Sequence, residues 1–230
     1  MVRKRRVSKK LYTGESEEIQ QVTPSFLELV QRYRLYCIIG SIIILLGIVG
    51  FFFWKYLSIK KEEKAATLFY QAHEMYQTSI KEEKLLDEPL KLLESVPRQY
   101  PGTAAGLLSL FYIGNCQFAM KKFDEAIASY DKFAQDIPPE SHMALLAYDS
   151  LGYCYEEKKD YKRAIEYFEK TVTPPPGLGE SGYLNVARCY ETIGEKENAL
   201  KTYKKILVEY PNSPRIDFVQ EKIQMLEAKG

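Results

Sequence analysis

The sequence is poor in the residues that carry chemistry. Its two histidines, His73 and His142, have no cysteine or second ligand nearby, which argues against a metal site. It offers no Gly-rich phosphate loop, no HExxH pair and no GxSxG turn. Strand signals are missing as well: there is no Asn-Gly hairpin turn and no alternating run of strand length. An excess of one charge is also lacking, with 32 Lys/Arg against 31 Asp/Glu. The many Glu and Lys fit solvated helix faces, and they form no catalytic constellation. These absences point away from an enzyme, from any cofactor and from nucleic acid as a partner.

One long apolar run is present. Leu35 to Trp54 reads LYCIIGSIIILLGIVGFFFW, with no charge between Arg34 and Lys55. Twenty residues at about 1.5 Å each make a helix of roughly 30 Å, the thickness of a bilayer's hydrocarbon core. Tyr33 and Tyr36 flank one end, and Trp54 and Tyr56 the other, where amphipathic rings favour the interface. The spacing predicts a transmembrane helix over 35–57. It is too long and its end too bulky for a cleaved signal peptide.

The net charge hides an asymmetry. Residues 1–34 carry eight Lys/Arg and four Glu, whereas residues 56–230 carry 23 Lys/Arg and 27 Asp/Glu. The basic tail 1–34 reads as the cytoplasmic side of a single-pass anchor. Its polar middle has a disordered composition, and Thr23-Pro24 is a helix start.

From residue 59 the apolar spacing is helical, and an internal period appears. Aligning on Gly114, Gly152 and Ala187 brings Leu110, Tyr148 and Tyr183 into one column. It also aligns Ala126, Ala164 and Ala199; Tyr130, Phe168 and Tyr203; and Pro138, Pro176 and Pro211. The anchors lie 38 and 35 residues apart, near the roughly 34 of a tetratricopeptide repeat. The expected fold is therefore all-α: one membrane helix, then a tetratricopeptide-repeat solenoid over 58–230. A degenerate helix pair covers 59–103, with Ala66, Phe69, Tyr70, Ala72 and Tyr76 on the apolar side of its first helix. Repeats follow at about 107–140, 145–178 and 180–213, with a capping helix over 214–229. Pro174-Pro175-Pro176-Gly177 is the one break. Within each repeat the pattern sets the small Ala against the Gly, so that Ala164 opposes Gly152.

The period also accounts for the cysteines. Cys37 falls in the apolar run, and Cys116, Cys154 and Cys189 each stand two residues after an anchor. Equivalent positions in neighbouring repeats are roughly 10 Å apart, too far for a disulfide, whose Cα atoms need less than about 7 Å.

What remains is a surface. The first helices of such an array line a concave face, and positions three before, one after and four after each anchor point into it. They are Phe111, Asn115 and Phe118; Asp149, Tyr153 and Glu156; and Leu184, Arg188 and Glu191. Aromatic, amide and charged groups together suit a peptide segment, although Phe111 and Phe118 also suit packing on a neighbouring helix. A Lys-plus-Asn clamp for C-terminal carboxylates is not reproduced, since Phe111 stands where its Lys belongs.

The stretch WKYLSIKKEEKAATLFYQA after the apolar run, followed by repeats, resembles the YfgM-type ancillary subunits of the bacterial SecYEG translocon. The basic tail and the proline-rich break depart from that pattern. The resemblance implies a single-pass inner-membrane protein with its repeats in the periplasm. There it would bind proteins or emerging chains near the export machinery; SecYEG, periplasmic chaperones and secreted clients are the implied partners. Segments such as YPGTAAGLLSLFYIGNCQFAMKKFDEAIASYDKF also resemble a periplasmic cell-division coordinator and outer-membrane assembly lipoproteins. They keep open the alternative of an envelope assembly or cell-division factor with one fixed partner.

Overall fold

A computed structural model describes residues 31–172 and 178–228, with all but the side chain of Cys37. The tail before residue 31, Thr23-Pro24 and the Pro174–Gly177 break lie outside the described residues. Among those described, every regular element is a helix. In order they are α1 (Arg34–Lys81), α2 (Asp87–Gln99), α3 (Ala104–Ala119), α4 (Phe123–Gln135), α5 (His142–Glu157), α6 (Tyr161–Thr171), α7 (Gly179–Thr192), α8 (Lys196–Glu209) and α9 (Ile216–Ala228).

The chain forms two compact units, Met1–Ile59 and Lys60–Gly230. In the first, the apolar side chains of α1 face outward: Leu46 and Phe52 are each 64 % exposed. Among the described residues, α1 is the one helix long and apolar enough to cross a membrane. The helix does not break where the apolar run ends. No proline falls between Arg34 and Lys81, and Lys55 to Lys64 is rich in good helix formers.

The second unit is an array of antiparallel helix pairs. Ala65, Phe69 and Ala72 recur at helical spacing on α1 and are buried against Leu90, Leu93 and Val96 of α2 and Leu110 and Ile113 of α3. Tyr70, expected on that apolar side, is 67 % exposed instead. One residue beyond Phe69 turns about 100° around the helix, which carries Tyr70 off the buried stripe. Glu62 holds the start of the array in place. Its carboxylate accepts from the Ala104 and Ala105 N–H groups at 2.9 and 3.0 Å. Two of the orphan donors of α3 are thus satisfied by a side chain 42 and 43 residues earlier. Thr103 caps the same terminus by accepting from the Gly106 N–H.

Each repeat turns in the same way. Lys121, Lys159 and Gly194 follow α3, α5 and α7 with φ of 60°, 61° and 79°. The next N–H reaches back to the carbonyls of Gln117, Tyr155 and Tyr190, closing a left-handed helix stop. Only the third turn uses glycine, the residue that adopts this conformation without steric cost.

Inside the first two repeats a ring packs over a bare Cα. A Cβ added to Gly114 would meet the Tyr130 ring at 2.6 Å, and one on Gly152 would meet the Phe168 ring at 2.4 Å. The expected pairing of Ala164 with Gly152 names only part of this contact, because the Phe168 ring lies nearest the glycine. The glycine makes room for an aromatic ring. The alanines share clusters with both their own and the next repeat: Ala126 with Tyr130, Leu151 and Cys154, and Ala164 with Tyr155, Phe168, Val186 and Cys189. Cys116, Cys154 and Cys189 are fully buried free thiols, and burial pushes each up to about 12. Such thiols act as small hydrophobes. At the end of the array Val219 and Ile223 of α9 cover Tyr203 and Ile206 of α8.

The ring-over-glycine contact has a measurable cost. Gly152→Ala gains up to about 1 kcal/mol of helix propensity but overpacks a fully buried ring at a cost of typically 1–3 kcal/mol. A net loss is expected, seen as a Tm lower by about 2–4 °C. Gly152→Ala made in a Phe168→Leu background should cost less than it does alone, because there the clash has already gone. A Gly152→Ala variant that melts higher than the parent would show that the ring yields freely.

Candidate protein-binding face

The nine residues expected on the concave face all lie on α3, α5 and α7, and the structure divides them into two groups. The first group surrounds a recess of about 240 Å³ lined by Tyr76, Asn115, Phe118, Ala119, Tyr130, Ser150 and Tyr153. It is built from α1, α3, α4 and α5. Asn115 Oδ1 accepts from the Tyr130 hydroxyl at 2.7 Å, which fixes the amide. Phe118 stands edge-on to Phe123, ring centroids 5.5 Å apart. Tyr76 is held from behind by His73 and Tyr112. Phe111 is not part of the recess. It is half-buried between the rings of Tyr130 and Phe133, at 5.6 and 5.5 Å, and serves as packing within its own repeat.

The second group is spent on contacts between repeats. Asn185, a buried amide on α7, donates to Asp149 Oδ1 at 3.1 Å and to the Tyr153 hydroxyl at 3.1 Å. Arg188 grips Glu156 with two parallel bonds, at 2.9 and 2.6 Å. It also donates to Asn185 Oδ1 and lies over the Tyr153 ring. Tyr153 packs edge-on to Phe168, 5.1 Å away, so it belongs to both the network and the recess. Glu191 accepts from the Tyr203 hydroxyl and from Lys222 of α9. Leu184 packs into the cluster around Tyr203 and Val219.

Sequence spacing did not point to Tyr76, Ser150 or Asn185. Asn185 stands two residues before its anchor, in a column that the concave-face rule skips. Its signal is an amide at a buried register, which must find partners. The motif reading also passed over Gly177-Leu178-Gly179-Glu180-Ser181-Gly182, a GxGxxG string. Among the described residues no strand precedes it, and its described glycines serve packing. A Cβ on Gly179 would strike the Tyr210 hydroxyl, and one on Gly182 the Thr171 hydroxyl, at 2.3 Å. Among the described residues no His/Cys/Asp/Glu group could hold a metal.

Comparison with known proteins agrees with this architecture. A family model described as a tetratricopeptide repeat-like domain matches residues 29–176, and a tetratricopeptide repeat model matches residues 182–213. The uncharacterized protein ycf37 of Cyanophora paradoxa is 25% identical over 107 residues, 46% of this chain and 60% of its own length. The photosystem I assembly protein Ycf3 of Prochlorococcus marinus (strain NATL1A) is 33% identical over 69 residues, 29% of this chain and 40% of its own. The chain therefore spans less than two thirds of either relative. A solved structure of a Podosopora anserina putative kinesin light chain with nearly identical TPR-like repeats superposes with a TM-score of 0.59. The match is at 15% identity and covers 70% of this chain and 85% of that one, a likeness of fold alone.

The Asp149 contact carries a pH signature. Burial pushes this carboxyl up to about 6 from an ordinary 3.8, against the pull of Asn185 and Arg188. A carboxyl raised on folding lends stability below its unfolded value and loses it as pH rises through about 6. Asp149→Asn removes that loss and keeps an acceptor for Asn185. It should stabilise the chain at pH 7.5 by about 1 kcal/mol after solvent screening. The difference from the parent should shrink to nothing by about pH 4. Thermal melts across that range check it, and an Asp149→Asn variant less stable than the parent at pH 7.5 contradicts it.

Proposed function

This chain belongs to the tetratricopeptide repeat-like family, and we propose that it is a membrane-held scaffold whose repeats bind protein segments. The observation that carries this reading is the recess among Tyr76, Asn115, Phe118 and Tyr153. It is an open polar and aromatic concavity of the array, whereas the charged groups of the next repeats pair with one another. The exposed apolar length of α1 supports the membrane attachment. The basic residues before it support a cytoplasmic tail with the repeats outside. The resemblance to translocon-associated subunits supports a place near the protein-export machinery, on the periplasmic side of a bacterial inner membrane. No catalytic role is proposed: charged side chains on the concave face, such as Glu156 and Arg188, are engaged with each other.

A second reading has a specific support. One relative is described as an assembly protein, which favours a fixed partner held during assembly over many passing clients.

Two measurements test the proposal. A reporter active only in the periplasm, fused after Gly230, should be active, whereas activity from a cytoplasmic reporter alone would invert the orientation and end the export proposal. Proximity labelling from the same position should mark export components or secreted chains. A single dominant partner unrelated to export would favour the assembly reading, and no labelled protein at all would contradict the scaffold itself.

A further inference from the structure

We propose that the recess takes one uncharged aromatic or aliphatic side chain of an extended protein segment, whose backbone carbonyls are held by Asn115 and Tyr76. The inference rests on the reading that the repeats bind protein segments, and it names the kind of segment. Four observations lead to it.

The lining contains no group that is charged at neutral pH. Its walls are Phe118, Ala119 and the faces of Tyr76, Tyr130 and Tyr153, and burial pushes the Tyr76 and Tyr130 hydroxyls further from ionisation. Two donors there are unspent. Asn115 uses its Oδ1 on Tyr130, but among the described residues neither its Nδ2 nor the Tyr76 hydroxyl donates to a protein group. Nor are they sealed in: the buried side-chain atom that lacks a partner among those residues is His73 Nδ1. Both side chains line the open recess, where a peptide carbonyl would satisfy these donors.

Charge complementarity excludes the alternatives on this face. Glu156 is taken by Arg188, Glu191 by Lys222 and Asp149 by Asn185. A charged side chain entering the recess would be desolvated without a counter-charge, a penalty that discriminates against it. Size decides the scale of the occupant. About 240 Å³ is smaller than the roughly 300–1,000 Å³ of small-molecule sites and suits a single anchoring side chain. The walls are set in advance, because Tyr76 leans on His73 and Tyr112, with centroids at 6.3 and 5.8 Å, and Tyr130 is fixed against Gly114.

The test uses the full chain in detergent on an array of surface-bound decapeptides with neutral flanks and a varied central residue. Central Phe, Tyr, Leu or Met should retain at least tenfold more protein than central Asp, Glu, Lys or Arg. Ala119→Trp, at the exposed mouth, should abolish that retention. Asn115→Asp keeps the acceptor for Tyr130, removes the donor and adds a negative charge. It should lose neutral peptides at least fivefold and shift the preference to central Lys or Arg. Thermal melts of both variants should match the parent; if either is unfolded, Ala119→Leu and Asn115→Ser replace them, with loss of retention still expected. Preference for charged centres, or retention indifferent to the variants, overturns the neutral anchor while leaving a segment-binding scaffold. If no peptide is retained but proximity labelling marks partners, the recess proposal fails and the scaffold stands. If both fail, so does the scaffold.

Discussion

The contact on which the array depends is an aromatic ring laid over a glycine. Gly114 and Gly152 have no side chain where the Tyr130 and Phe168 rings lie, so in the first two repeats the two helices close around the ring. The contact also shapes the concave face. The Tyr130 ring that packs beneath Gly114 ends in a hydroxyl bonded to Asn115, one residue beyond the glycine, and that pair forms a wall of the recess. Core packing and surface chemistry are joined through a single side chain.

The same columns explain why the repeats differ. In the second repeat the ring is Phe168, which has no hydroxyl to offer. Tyr153, in the column of Asn115, rests its edge on that ring and turns its own hydroxyl to Asn185 of the next repeat. In the third, Tyr203 sends its hydroxyl to Glu191, already held by Lys222 of the capping helix. Polar groups are thus left open in the first repeat and used to couple neighbours in the second and third. Exposed ion pairs contribute little on their own. The Glu156–Arg188 and Asn185 contacts matter more for fixing the register of α5 against α7, which residues 32 to 36 apart in sequence hold together.

Much of the architecture was legible because it is periodic. Helices, the repeat length, the small-residue columns and the apolar run recur or persist within the one chain. The glycine column was legible as a need for space, but not what fills it. Gly152 and Ala164 are both small, and only the packed structure shows that Phe168 takes the room beside the glycine and that Ala164 shares a cluster with Cys189 of the next repeat. The recess was half legible. Asn115, Phe118 and Tyr153 follow from helix geometry, whereas Tyr76 belongs to a degenerate pair with no anchor to align. Asn185 was hidden because its partners lie across a repeat boundary, where a periodic pattern carries no information about pairing. Tyr70 shows the limit of composition: an aromatic beside Phe69 is still one helical step off the core.

The central claim is that binding takes place at the recess on the inner helices of the array. A photo-crosslinking amino acid placed at Ala119, at the mouth of the recess, in the full chain in its native membrane tests it most directly, with the exposed Glu166 of α6 as the comparison site. Illumination should give protein adducts from position 119 that fall away when a neutral peptide with a central Phe is added, and few adducts from position 166. Adducts concentrated at position 166, or adducts at 119 that the peptide leaves unchanged, would place the interaction elsewhere on the molecule.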